Sequence, residues 1–166
     1  MKTTSFRLFV ILLLVATFAT MGATPGFKHL ISTSFTGVET FGPVIDPGTV
    51  TPKGDMLIIR GLVQIAEDAN TDPRVSGENI IEINANFVAA TFSGPMWGKA
   101  HLKNASGEWD VTWVGKRTPE GHSSIRAWGR GEGGYKGLFA TWKYTRSNPD
   151  PNAPMDISGF ILEARR

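Results

Sequence analysis

A glycine-rich run in the second half of the chain constrains the fold more than any other feature. The residues from Gly129 to Gly137 include five glycines in nine positions, and the segments on both sides are rich in Trp, Tyr, Phe and Thr. Aromatic and β-branched residues favour strands, whereas glycine supplies the positive φ and the close backbone approach that a tight turn needs. The run therefore predicts the end of one strand, a tight turn and the start of the next strand.

Alternating apolar and polar residues extend this β pattern through the chain after residue 26, where no segment has a helical period. Because successive side chains of a strand point to opposite faces, each alternating stretch is expected to bury one face. The clearest stretches have apolar residues at odd positions, namely Leu57, Ile59, Val63 and Ile65, then Ile81, Ile83, Ala85 and Phe87, and then Trp109, Val111 and Trp113.

Clusters of Gly, Pro, Asn and Asp divide the chain into eight predicted strands. The strands cover residues 31–41, 55–67, 77–90, 95–104, 107–117, 122–131, 135–146 and 156–164. Short turns between most neighbours favour an antiparallel, up-and-down order, which closes into a barrel without a free edge. An eight-stranded barrel is either filled by side chains or holds one small ligand. A two-sheet sandwich is the alternative architecture.

The N-terminus has the organisation of a secretory signal peptide, with a basic start, an apolar run at residues 8–19 and small residues up to Ala23. The apolar run is shorter than the roughly 20 residues of a membrane-spanning helix, so no stable membrane anchor is expected. Residues 1–23 are predicted to be removed, with cleavage after Gly22 or Ala23. Residues 24–166 then form a single domain that is secreted or periplasmic. The absence of cysteine favours a bacterial protein, because exported eukaryotic domains of this size often contain disulfides.

The charge balance argues against one large class of partner. The chain has 17 Lys and Arg residues against 15 Asp and Glu residues. The leader contributes Lys2 and Arg7 and no acidic residue, so the remaining domain carries equal numbers of both signs. Nucleic-acid binding usually needs a clear excess of basic residues, so no nucleic-acid partner is expected.

Clustered tryptophans are the main candidates for ligand contact, because each offers a wide apolar surface with one hydrogen-bond donor. Arg126 has the same parity as Trp128. Arg60 and Glu82 lie on the less apolar faces of neighbouring strands, where they could be cross-strand partners. Core packing is the alternative for the tryptophans, and a solvated barrel exterior is the alternative for the charged residues. The predicted ligand-binding set comprises Trp97, Trp109, Trp113, Trp128, Arg126, Arg60 and Glu82.

No motif predicts catalytic residues, a cofactor or a metal site. The segment 68–72 spaces its oxygen-bearing side chains like the start of a calcium loop, but Pro73 stands where the required glycine should be. We therefore interpret it as an ordinary polar loop. One of the three histidines, His29, His101 and His122, could form an acid–base pair with Glu108 or Asp110 after folding, and a solvent-exposed histidine is the favoured alternative.

The glycine-rich hairpin resembles the strand–turn–strand segment of the allene oxide cyclase and dirigent barrels. In those proteins a Gly-x-Gly-x-aromatic run leads to a small residue and a final pair of strands. Here the run is supplied by 131–135, the small residue by Gly137 or Ala140, and the closing strand by 158–162. The resemblance implies an eight-stranded, calycin-like barrel, often a homo-oligomer, whose apolar cavity binds or steers a small apolar molecule. The catalytic residues of those proteins cannot be placed on positions of this chain.

Three functions are compatible with these features. The first is a non-enzymatic exported barrel that binds a small apolar or aromatic molecule. The second is a cyclase-like or isomerase-like enzyme, which requires a buried ionisable group with a shifted pKa facing the lumen. Arg60, Glu82, His101 and Asp110 are the candidates for that group. The third is a structural or oligomerisation module whose outer faces pack against sister subunits.

Overall fold

The computed structural model describes residues 29–165, and the leader predicted at residues 1–23 lies outside the described residues. The described chain is all-β, as the alternation predicts, and its only helical element is a short 3₁₀ turn, Pro73–Val75. In chain order the strands are β1 (His29–Asp46), β2 (Thr49–Lys53), β3 (Met56–Asn70), β4 (Gly77–Val88), β5 (Gly94–Asn104), β6 (Gly107–Arg117), β7 (Ser123–Gly133), β8 (Leu138–Arg146) and β9 (Met155–Arg165).

A single antiparallel sheet contains all nine strands, in the order β1-β9-β8-β7-β6-β5-β4-β3-β2. The sheet closes into a ring because the second half of β1 also pairs with β3, from Gly37 opposite Asn70 to Asp46 opposite Val63. The up-and-down order predicted from the short turns is confirmed. Because the strands form one closed sheet, the alternative of a two-sheet sandwich is wrong.

The predicted number of eight strands is wrong by one, because the link after the first strand contains β2. This strand pairs with β3 along its whole length, and a turn at Gly54, whose φ is +61°, joins the two strands. All side chains of β2 are exposed, and it contains Pro52, a residue that edge strands tolerate. A strand without a buried face has no apolar alternation that would reveal it in the sequence.

A bulge in β3 changes which of its residues face the inside of the ring. Gly61 has a φ of +65°, and the register of β3 against β4 shifts after Ile59. A bulge adds one residue to one strand, so the side chains beyond it face the opposite way. The prediction that Val63 and Ile65 share the buried face of Ile59 is therefore wrong. Beyond the bulge the inward positions are Gln64, Ala66 and Asp68.

The alternation predicted for β4 and β6 is confirmed. Ile81 and Ala85 are buried on the inner face of β4, and Trp109, Val111 and Trp113 are buried on the inner face of β6. Their neighbours at even positions face outward. The core of the domain is therefore the interior of the ring, as expected for a sheet that buries one face.

One end of the ring is closed by packed side chains. The turn between β7 and β8 places Tyr135 inside, where its ring stacks on Trp109 with 5.4 Å between the ring centroids. Trp109 Nε1 donates a hydrogen bond of 2.7 Å to the carbonyl oxygen of Arg74 in the 3₁₀ turn. Val75 and Leu102 are buried beside the two rings. We call Val75, Leu102, Trp109 and Tyr135 the plug.

The glycine-rich run provides the space that the plug requires. A Cβ atom on Gly131 would overlap the backbone of Tyr135, and a Cβ atom on Gly107 would overlap the Tyr135 ring. The predicted strand, tight turn and strand are confirmed. The second strand begins at Leu138 rather than at residue 135, because Tyr135 belongs to the turn.

Candidate functional site

A cavity of about 190 Å³ lies inside the ring. Successive antiparallel strands reverse direction, so the β6–β7 and β8–β9 connections lie at the end opposite the plug. The cavity reaches this end, which we call the mouth, where it is lined by Arg117, Ser123, Arg146 and the exposed Pro151. The rest of the wall is mainly apolar and includes Ile81, Ile83, Met96, Val111, Trp113 and Ile125.

Two carboxyl groups meet at the inner end of the cavity. Glu39 and Asp68 lie opposite each other in the pairing of β1 with β3, and they are 3% and 0% exposed. The Tyr144 hydroxyl donates to Asp68 Oδ2 at 3.3 Å, and Asn79 Nδ2 donates to Glu39 Oε2 at 3.4 Å. Glu39, Asn79 and Tyr144 line the cavity, whereas Asp68 lies outside its wall. The inner end is thus a buried polar cluster, separated from the polar mouth by a mainly apolar wall.

The surroundings of the two carboxyl groups raise both of their pKa values and favour a proton shared between them. Burial raises the pKa of Asp68 to about 7, and burial together with the charge of Asp68 raises the pKa of Glu39 well above its ordinary value. With both groups ionised, Asp68 Oδ1 would be buried without a donor from any described residue. A hydrogen bond between two carboxyl groups requires a proton on one of them. A shared proton therefore supplies the missing donor and removes one of the two buried negative charges.

The tyrosine of this cluster remains a hydrogen-bond donor. Burial and the neighbouring charge of Asp68 raise the pKa of Tyr144 well above its ordinary value. Its phenol is therefore protonated throughout the physiological range and stabilises the Asp68 carboxylate by donating to it. When one carboxyl group of the pair ionises, as the pH rises past about 7, the inner end therefore favours the negative charge on Asp68 and the remaining proton on Glu39, which faces the cavity.

Two arginines occupy the mouth. Arg117 and Arg146 each lie opposite Ser123 in the register of β6, β7 and β8, so they flank it on the inner face. Arg146 is only 7% exposed, and burial and the charge of Arg117 lower its pKa. The cavity therefore extends from two cationic side chains at the mouth to a protonated carboxyl pair at the inner end.

Two of the seven residues predicted to bind a ligand face the inside of the ring. Trp113 lines the cavity, and Trp109, which is 0% exposed, belongs to the plug. The core-packing alternative thus describes Trp109. The other five lie on the outer face and do not line the cavity, and they are Trp97, Trp128, Arg126, Arg60 and Glu82.

Arg60 and Glu82 are not cross-strand partners, and both are exposed, as the alternative of a solvated exterior describes. After the bulge in β3, Glu82 lies opposite Val63, and it accepts a hydrogen bond of 3.1 Å from Asn84. The Arg60 guanidinium instead lies 5.0 Å from the ring centroid of Trp97, a cation–π contact on the outer surface. These side chains lie on the outer face of the sheet and do not face the cavity.

The ionisable residues considered for an enzymatic role also lie on the outer face. Arg60, Glu82 and Asp110 are exposed, and His101 is half-buried among surface carboxylates. His101 contacts both of these carboxylates at the surface, because its Nε2 lies 3.0 Å from Glu108 and its Nδ1 lies 3.1 Å from Asp110. The buried, inward-facing group that an enzyme would need is the carboxyl pair instead.

The carboxyl pair was missed by reasoning from the sequence. The loop predicted at 68–72 is wrong for Asp68, which belongs to β3 and faces inward. A signal for Glu39 does exist, because it shares odd parity with Phe35 and Phe41 in one alternating stretch. Phe35 is buried and Phe41 lines the cavity, so the parity places Glu39 inside.

Comparison of the chain with protein-family models, with curated proteins and with solved structures found no match. Between residues 29 and 165, no group of three or more His, Cys, Asp or Glu side chains is arranged to hold a metal ion. In the same described part of the chain, no helix has the length and apolar character needed to cross a membrane.

Proposed function

We propose that this protein is exported and binds one small, mainly apolar molecule inside its ring. The observation that carries the proposal is the cavity of about 190 Å³ with its mostly apolar wall. A cavity of about 150 Å³ lined by aliphatic and aromatic side chains holds benzene, so this one suits a single ring with a short substituent. Removal of the ligand's apolar surface from water drives the binding.

The proposal includes a finer fold class and a location. The closed sheet and the glycine-rich hairpin support an eight-stranded, calycin-like barrel of the allene oxide cyclase and dirigent type, with β2 extending the sheet beyond the closure. An up-and-down barrel of that size has room for one small ligand. The basic and apolar N-terminus supports a signal peptide at residues 1–23 and a periplasmic or secreted protein.

The inner end favours a ligand that carries one hydrogen-bond donor. Asn79 lines the cavity, and its Oδ1 atom is buried without a partner in the described part of the chain. A buried acceptor without a donor costs about 1–3 kcal/mol, and a ligand hydroxyl group would remove that cost. We therefore expect p-cresol to bind more tightly than toluene, which has a similar shape and no donor.

Ligand-observed NMR with toluene and p-cresol tests the proposal. The variant Ala100→Leu occupies part of the cavity, because Ala100 forms part of its wall, and it should weaken the binding of both probes. Thr112→Leu is the matched control, since it adds the same side chain at an exposed position on the outer face. Absence of binding by the wild-type protein, or binding that Ala100→Leu leaves unchanged, would contradict a luminal site.

A second candidate function, acid–base catalysis, is favoured by the carboxyl pair. Glu39 faces the cavity and shares a proton with Asp68, whose pKa is raised to about 7 by burial. A carboxyl group with a raised pKa can donate and accept a proton near neutral pH. The corresponding reaction class is proton transfer at a carbon atom next to a carbonyl group, as in isomerisation or cyclisation.

Hydrogen–deuterium exchange at the α carbons of cyclohexanone, followed by NMR in D₂O, tests this candidate. The wild-type protein should accelerate the exchange, and Glu39→Gln should lose about 100-fold or more of that acceleration. Glu82→Gln, which changes an exposed carboxylate on the outer face, is the control. Equal exchange rates for wild type and Glu39→Gln would exclude catalysis by the pair and leave the binding function in place.

A further inference from the structure

The mouth of the cavity presents two guanidinium groups to one space. Arg117 ends β6, Arg146 ends β8, and both lie opposite Ser123, which begins the strand between them. Side chains of residues that lie opposite one another in neighbouring strands extend to the same side of the sheet. Both arginines accordingly line the cavity at its open end.

Neither guanidinium has all of its donors paired. Arg117 Nη2 donates to the carbonyl oxygen of Pro149 at 3.1 Å. Arg146 donates from Nη1 to the carbonyl oxygen of Pro151 at 2.7 Å and from Nη2 to Ser123 Oγ at 3.4 Å. The Nε atom of each arginine is buried and has no acceptor among the described residues. No carboxylate between residues 29 and 165 forms an ion pair with either group.

This arrangement is unfavourable in the absence of an anion. A buried charge is costly unless it is paired, and a buried donor without an acceptor adds to that cost. The two cations also repel, which together with burial lowers the pKa of Arg146. The charges of Asp150 and Glu39 act in the opposite direction and raise the pKa of Arg146, but neither carboxylate lies within ion-pair distance of its guanidinium.

We infer that the mouth binds the carboxylate of the luminal ligand, which makes that ligand a small aromatic or alicyclic carboxylic acid. This inference rests on the function proposed above. A guanidinium offers coplanar N–H groups that match the two oxygens of a carboxylate, and the Nε donors of Arg117 and Arg146 are available for them. A ring attached to that carboxylate then lies against the apolar wall that includes Trp113.

The charges of the cavity determine the direction in which such a ligand enters. The Glu39–Asp68 pair gains a negative charge as Asp68 ionises near neutral pH, so a ligand carboxylate at the inner end would be repelled. The arginines attract the same group at the mouth. The acid is therefore oriented with its apolar part inside and its charged end towards solvent.

Two probes of nearly equal size separate the anion-binding mouth from the lumen itself. 3-Phenylpropionate carries a carboxylate, and 3-phenylpropan-1-ol has a neutral hydroxyl group at the same place. Isothermal titration calorimetry at pH 7 gives both dissociation constants. The wild-type protein should bind the acid about tenfold more tightly than the alcohol, which corresponds to one charge-assisted hydrogen bond.

Arg146→Gln and Arg117→Gln should each remove most of this preference. Each variant should raise the dissociation constant of the acid and leave that of the alcohol unchanged. Arg126→Gln is the matched control, because it removes an exposed arginine from the outer face of β7 and should retain the preference. Circular dichroism verifies that each variant is folded. The use of two mouth variants allows either one to decide the question if the other fails to fold.

Each outcome bears on a different proposal. Wild-type protein that binds the alcohol as tightly as the acid overturns the anion site and leaves the luminal site intact. A preference that Arg126→Gln reduces as much as Arg146→Gln assigns the effect to general surface charge, which also overturns the anion site. Failure to bind either probe contradicts both the anion site and the luminal binding function.

Discussion

Replacement of Asp68 by asparagine should change how the stability of this protein depends on pH. Burial raises the pKa of Asp68 from its ordinary value of 3.8 to about 7 in the folded protein. Between these two values the folded protein retains a proton that the unfolded chain has lost. The free energy of unfolding therefore decreases as the pH rises through this interval, which is the direction expected for a carboxyl group whose pKa is raised by folding.

The size of the effect follows from the displacement of the pKa. One pKa unit corresponds to about 1.4 kcal/mol, so a displacement of about three units corresponds to about 4 kcal/mol when Asp68 is fully ionised in the folded state. Because Glu39 shares the proton, part of the change falls on that residue. We expect the wild-type protein to lose about 2–4 kcal/mol of unfolding free energy between pH 5 and pH 8.

Urea unfolding at several pH values, followed by tryptophan fluorescence, measures this loss, since Trp109 and Trp113 are buried in the folded protein. Asp68→Asn has no charge at this position, so its unfolding free energy should vary less with pH and exceed that of the wild type at pH 8. Asp156→Asn removes an exposed carboxylate from β9 and is the control. It should retain the wild-type dependence.

The reasoning would be refuted by a wild-type protein that becomes more stable from pH 5 to pH 8, or by an Asp68→Asn variant with the wild-type slope. Three other acidic groups act outside this window. Hydrogen bonds lower the pKa values of Asp72, Glu108 and Glu120, so their stabilising contributions are lost only as the pH falls below the ordinary pKa of a carboxyl group. They do not mask the titration of the pair.

Three further predictions concern the plug, the glycine-rich turn and the N-terminus. Leu102→Ala leaves a void in the plug and should lower the unfolding free energy by about 3 kcal/mol in urea titrations. Gly131→Ala should cost about 1–3 kcal/mol because its Cβ would overlap the turn backbone, whereas the exposed Gly42→Ala should change stability much less. Expression of the full chain in a secreting bacterium should yield an exported protein whose intact mass begins at Ala23 or Thr24, and an unprocessed mass would contradict the signal peptide.

The strands that were predicted correctly are those that bury one face and expose the other. The strand expected at 107–117 coincides with β6, because Trp109, Val111 and Trp113 alternate with polar residues without interruption. β2 was missed because all of its side chains are exposed. The inner face of the second half of β3 was missed because the glycine bulge at Gly61 shifts the alternation, and the position of a bulge depends on the partner strand.

The site depends on contacts between strands that are distant in sequence. Glu39 and Asp68 meet only because β1 pairs with β3 when the ring closes. Arg117 and Arg146 are likewise brought together by the register of β6, β7 and β8. Parity alone is sufficient to place Trp113 on the inner face, but it does not show which inward side chains leave space unfilled.

Because Trp109 and Tyr135 close one end of the ring, the cavity formed by residues 29–165 opens at the mouth, at the opposite end. A molecule inside it leaves by the route through which it entered, beneath the proline-rich connection at 147–154. Entry and exit then cross the same barrier. A substitution that loosens only this connection should accelerate both rates by the same factor and leave the equilibrium constant unchanged.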